Sequence, residues 1–153
     1  MAEILLDTDG LSDVIHRKHN CLLHLRNLGE RQLELVRRGS MTELLDLLSV
    51  KQQMLTDLQR IEHALDPFRN QDPDRRRWRT QEGRDACAEE LARCERLLSE
   101  IVRLEKQSEQ DMICRRDEAA ARLTGVHSAG HAREFYLAEP RPLRGRLNLT
   151  SGE

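Results

Sequence analysis

The sequence predicts an all-α fold: an antiparallel helical hairpin and one long third helix, packed as a coiled-coil-like three-helix bundle, then a flexible C-terminal tail. Three observations predict it. Leucine recurs at spacings of three and four along most of the chain. Charged residues make up 34% of the 153 residues and aromatics 3%, the composition of long packed helices with an aliphatic core. Proline stands at 67 and 73 and not again until 140, which leaves room for one uninterrupted helix.

Residues 1–10 read as a short lead-in ending at Asp9-Gly10. From Leu11 the seam runs Leu11, Val14, Lys18, Cys21, Leu25, Leu28, Gln32 and Leu35, a heptad line with two polar interruptions. Leu22, Leu33 and Val36 widen it toward a bundle face. Arg37-Arg38-Gly39 ends this helix: two cations suit the negative end of the helix dipole, and Gly accepts the left-handed cap.

Ser40 with Glu43 three residues on has the form of a capping box, so a second helix is expected to start there. Its seam reads Leu44, Leu48, Lys51, Leu55, Leu58 and Leu65, flanked by Leu45, Leu47, Met54 and Ile61. A connection of one or two residues makes the two helices antiparallel neighbours. Pro67 is expected to end the second helix at Asp66.

After a loop over 66–74, Asp72-Pro73 reads as an N-cap with Pro at the first helical position. The third apolar line is Ala86, Cys87, Leu91, Cys94, Leu98, Ile101, Leu104, Met112, Ile113, Ala119 and Leu123. A helix of about 48 residues spans ~72 Å, against ~39 Å for each hairpin helix, so it must bend, break or extend past them. Gly83 and the polar stretch 105–111 are the expected weak points. Residues 1–123 thus read as a helical bundle domain. Residues 124–153 read as a mostly flexible tail, with a short helix around Phe135 and Tyr136 (129–138) and an alternating Leu147-Asn148-Leu149-Thr150 segment that suits strand docking.

Composition and motifs exclude several functions. With 25 basic and 27 acidic residues the chain has no general attraction for nucleic acid or anionic membranes. No apolar run approaches the ~20 residues of a membrane span, and the first residues lack the basic and apolar regions of a signal peptide, so a cytoplasmic protein is expected. Cys21, Cys87, Cys94 and Cys114 have no CxxC pairing and sit in helical patterns, as reduced, small apolar residues. His16 with His24, and His127 with His131, share helix faces, but neither pair has the three or four convergent ligands of a zinc site. The Arg75–Arg79 cluster with Trp78 has the make-up of a nucleic-acid grip, weighed against an exposed helix start whose Trp packs on the hairpin end. No phosphate loop or nucleophile elbow is present, so neither enzyme activity nor a cofactor is expected.

The remaining signal is apolar helix surface in excess of what a hairpin covers. Leu97, Leu98, Ile101, Leu104, Met112, Ile113 and Leu123 are the expected partner-binding residues, with bundle core the favoured place for Leu91 to Ile101 and a partner expected chiefly beyond Leu104. At the hairpin the chain resembles the FlgN-type flagellar export chaperones. The matching stretch runs from Leu33-Glu34-Leu35-Val36-Arg37-Arg38-Gly39 through Ser40-Met41-Thr42-Glu43-Leu44-Leu45, then Leu48, Lys51-Gln52-Gln53-Met54-Leu55 and Leu58. That family shows a Leu-rich helix, a tight turn at Gly, and leucines around a Lys-Gln pair. Ser40 departs from the acid common there, and the tail after Thr124 departs as well.

The resemblance implies a type III flagellar export chaperone. It implies clients that are secreted helical proteins of the hook-associated type, whose C-terminal helices are held until they reach the flagellar export apparatus. The client surface is implied to lie within residues 97–123. The competing expectation is a structural coiled-coil scaffold or homo-oligomeric adaptor, with a homodimer as its simplest form.

Overall fold

A computed structural model describes residues 8–137. It contains three α-helices, α1 (Thr8–Arg38), α2 (Met41–Arg69) and α3 (Gln81–Leu137), with a 3-10 turn at Pro73–Arg75 between α2 and α3. This is the all-α, three-helix arrangement that the leucine spacing predicts. The chain divides into two compact units, Met1–Asp111 and Met112–Glu153.

In the first unit the α1 seam is as read. Leu11, Cys21, Leu25, Gln32 and Leu35 are buried, and Leu22 is fully enclosed. Both polar interruptions hold cross-helix partners: Lys18 pairs with Glu62 at 2.8 Å, and Gln32 accepts from Lys51 Nζ at 2.9 Å. The helix starts earlier than expected, so Asp9-Gly10 is helical. Two contacts with the α2–α3 connection tie this end down. Thr8 Oγ1 donates to the Arg77 carbonyl at 2.8 Å, and Asp9 pairs with Arg79 at 2.9 Å.

The hairpin turn is built on Gly39, which takes φ 72°. Ser40 N–H donates to the Leu35 carbonyl at 3.0 Å and Gly39 N–H to that of Val36 at 3.1 Å, the two bonds of a Schellman ending. The expected capping box does not form. Ser40 makes no side-chain cap bond; its φ -81° and ψ 78° depart from the extended N-cap geometry, and Glu43 reaches Arg31 instead at 3.3 Å.

The buried face of α2 is Leu44, Leu47, Lys51, Ile61, Leu65 and Phe68. It keeps Leu44, Lys51 and Leu65 of the predicted line and takes in the flanking Leu47 and Ile61, while Leu48 and Leu55 are exposed. Pro67 does not end the helix, which runs to Arg69. Proline in a last turn forfeits one backbone bond. Burial of Leu65 and Phe68, and donation from Arg76 to the Phe68 carbonyl at 2.8 Å, hold that turn.

The connection corrects the predicted start of the third helix. Asp72 caps only the short 3-10 turn, accepting from Asp74 N–H at 3.0 Å. α3 begins at Gln81, where Thr80 Oγ1 accepts from Gly83 N–H at 2.9 Å. Gly83 is thus part of a cap and not a weak point. Trp78 packs against Leu11, Ile15, Leu65, Phe68 and Cys87, the hairpin end where the sequence places it.

Core layers succeed one another along the first unit. Leu35, Val36, Leu44 and Leu47 fill the turn end. Cys21, Leu22, Leu25, Ile61, Cys94 and Leu97 fill the middle, and the Trp78 layer closes the far end. Full burial of each leucine contributes about 1.5–3 kcal/mol. In the second unit α3 stays helical to Leu137, past the predicted end at Leu123 and through Gly125 and Gly130. The polar stretch 105–111 is helical, and the two units meet at its end. The Leu147–Thr150 segment and the rest of the tail from 138 lie outside the described residues.

Candidate partner-binding surface

The seven sequence-predicted partner residues part into two groups. Leu97 and Leu104 are buried in the first unit, and Ile101 packs half-buried against the same core. Leu97 and Ile101 take the bundle-core place favoured for Leu91 to Ile101, and Leu104 joins them, which corrects the naming of these three as partner residues. The reason is helix phase: Cys94, Leu97, Ile101, Leu104 and Ser108 follow spacings of three and four and form the hairpin-facing line. Gly29 makes this approach close, since a Cβ there would lie 3.4 Å from Leu104 Cδ1. Leu98 is exposed, one step round from that line, with Leu91 and Val102.

Met112, Ile113 and Leu123 are exposed in the second unit, Leu123 at 70%. Val126 at 72% and Phe135 at 60% join them. Neither is among the expected partner residues, because both fall in the 124–153 stretch that reads as a mostly flexible tail. The signal was present, since Val126 follows Leu123 by three residues. Met112, Ala119, Leu123 and Val126 fall at spacings of seven, four and three, one stripe of the helix. Arg115 and Arg122 border it on one side and Arg116 on the other. From Met112 to Phe135 every described residue except Arg115 is exposed. No helix among the described residues is long and apolar enough to cross a membrane.

The other candidates resolve into structural roles. Arg75 pairs with Asp72, Arg76 caps α2 and Arg79 pairs with Asp9, so the basic cluster is largely engaged in closing the hairpin end. His16 meets Glu90 at 3.1 Å, and His24 lines a shallow groove of about 380 Å³ with Arg17 and Arg60. His127 and His131 bring their rings 5.6 Å apart. Among the described residues no group of three His, Cys, Asp or Glu is placed to hold a metal. A second shallow groove, about 460 Å³, sets Arg26, Arg93 and Arg96 around Leu23 and Leu97.

Cys21, Cys87 and Cys94 are buried and Cys114 is exposed. Burial pushes all three buried thiols up, and Asp57 beside Cys21 and Glu90 beside Cys87 push the same way. They are core fillers held as neutral thiols, the opposite of activated nucleophiles. What the second unit offers is exposed apolar helix surface. No family model, curated protein or solved structure matches the chain.

Proposed function

We propose that this protein is a cytoplasmic flagellar export chaperone of the FlgN type. It holds the C-terminal helices of hook–filament junction proteins, prevents their premature assembly and aids their delivery to the export gate. One observation carries the reading: a helix from Met112 onward that sets Met112, Ile113, Leu123, Val126 and Phe135 in solvent. Most helical stability in proteins comes from packing of an amphipathic face, so burial of this apolar stripe by a partner helix stabilises both. Met112 adds a side chain that adapts to more than one packing partner. The hairpin motif around Gly39 and Lys51-Gln52 supports the family assignment.

The test is titration of the full chain with the C-terminal helical segment of a hook–filament junction protein, followed by calorimetry. A defined complex is expected. Met112→Asp, Ile113→Asp and Leu123→Asp together are expected to abolish it with the circular dichroism of the bundle retained. Unchanged binding by that triple variant rules this surface out, and no binding by the unmodified chain rules out the function.

A further inference from the structure

We propose that the groove between α2 and α3 of the first unit receives the Met112–Val126 segment of a second copy of this chain, so that the protein forms a reciprocal homodimer. The groove is located by the pair Lys51–Glu105, which sets α2 beside α3. On α2, Leu48 and Leu55 lie three residues before and four after Lys51, on the same face. On α3, Val102 and Leu98 lie three and seven before Glu105, and Leu91 seven before Leu98. All five apolar side chains are more than a third exposed. A three-helix arrangement thus leaves an apolar trough where a four-helix bundle has its fourth member.

Charge selects the occupant. Glu95 and Glu109 border the trough on α3, with Lys106 further out, and Glu105 at its floor is already paired with Lys51. The Met112–Ala119–Leu123–Val126 stripe is bordered by Arg115, Arg116 and Arg122. Arg116 and Arg122 meet Asp117 and Glu118 of their own helix at 3.6 and 3.9 Å, loose contacts that a facing carboxylate can replace. Trough on trough sets carboxylate against carboxylate, and stripe on stripe sets arginine against arginine. Stripe in trough satisfies both. The lengths agree as well, since residues 91–105 and 112–126 each span about 22 Å. Each copy has one stripe and one trough, and a two-fold exchange leaves neither open, whereas a head-to-tail chain leaves one of each uncovered at its ends.

The proposal does not rest on the export reading: the dimer covers the Met112–Leu123–Val126 stripe, so a client helix would have to displace the partner copy, and the test reads the mass of the chain alone, without a client. Sedimentation equilibrium of the full chain is expected to give a monomer–dimer equilibrium that weakens as salt rises. Arg116→Glu with Arg122→Glu, both exposed and outside the core, is expected to raise the dimer Kd at least about tenfold. Val102→Asp damages the trough and Leu123→Asp the stripe, and each alone is expected to dissociate the dimer. A mixture of these two variants keeps one intact stripe-in-trough contact and is expected to dimerise more tightly than either alone. A monomer at every concentration overturns the proposal. So does a dimer indifferent to the arginine changes, or a mixture no tighter than its parts.

Discussion

Arg37 donates through Nε to Asp111 Oδ2 at 2.8 Å across 74 residues of sequence. The same separation joins His16 to Glu90 and Arg26 to Glu100. A constant offset means that α1 and the first-unit part of α3 run parallel and do not slip in register between the first contact and the last. Exposed pairs of this kind contribute about 0–1 kcal/mol each, so they specify register more than they stabilise it. The stabilisation comes from the layers beneath, where Cys94, Leu97 and Leu104 meet α1.

At the centre of that packing Lys51 Nζ donates to Gln32 Oε1 and to Glu105, joining all three helices. Lys51→Met is expected to destabilise the bundle by about 1–3 kcal/mol, because the buried Gln32 amide loses its partner. Glu105 is half exposed and stays hydrated. Adding Gln32→Leu removes the orphaned amide and is expected to recover most of that loss, as apolar replacement of buried polar groups often does. Urea unfolding of the single and double variants measures it. Equal stability of the two would show that the amide was not the source of the cost.

The buried thiols predict both a reactivity pattern and a pH dependence. Cys114 is expected to react with a disulfide reagent at mildly alkaline pH, while Cys21, Cys87 and Cys94 react only on unfolding. Their folded pKa values are raised, so the folded chain holds protons that the unfolded chain releases above ~8.5. The stability they contribute is full below that pH and is lost as pH rises through it. A midpoint of urea unfolding that holds steady from neutral pH up to that value and then falls is the expected result. Rapid modification of all four cysteines in the folded chain would contradict the packing.

Leucine spacing made the hairpin legible, together with the α1 face, Gly39 as its cap and Trp78 at its end. It did not fix the α2 face. Leu44–Leu48–Leu55 and Leu47–Met54–Ile61 are both apolar lines, and periodicity cannot choose between adjacent ones. The packed face takes Leu47 and Ile61 from the second, keeps Leu44, Lys51 and Leu65 of the predicted seam, and leaves Leu48 and Leu55 outside. The same limit explains why Leu97 and Leu104 read as a partner surface when they face the hairpin. Lys18 and Gln32 were visible as interruptions, but their partners Glu62 and Lys51 depend on tertiary contact. Pro67 and Asp72 misplaced two helix ends because burial of Phe68 and the Thr80 cap outweigh the local signals.

Among the described residues every buried core residue lies before Met112. A chain ending at Asp111 is therefore expected to keep a cooperative thermal transition within a few degrees of the full chain, with the helical signal reduced by the missing segment. Calorimetry of the truncated chain checks it, and loss of the transition would mean that the second unit contributes to the fold.

Ser108 is buried, and its Oγ has no hydrogen-bond partner. An unsatisfied buried hydroxyl costs free energy, and Ala is the better helix former. Ser108→Ala is expected to stabilise the first unit by about 1 kcal/mol in urea unfolding. A destabilisation of that size would mean that the hydroxyl is satisfied in solution.

Gly29 sits mid-helix at the closest approach of α1 to Leu104. A new Cβ there meets Leu104 Cδ1 at 3.4 Å and its Cβ at 3.5 Å, the edge of ordinary contact. Alanine therefore fits, and relative to glycine it gains up to about 1 kcal/mol in a helix interior. Gly29→Val adds two methyl groups beyond that contact, so one of them must displace Leu104 or push the helices apart, a cost typically of about 1–3 kcal/mol. The pair of variants is expected to move thermal stability in opposite directions. Stabilisation by both would mean that α1 and α3 lie farther apart at this point than the geometry places them.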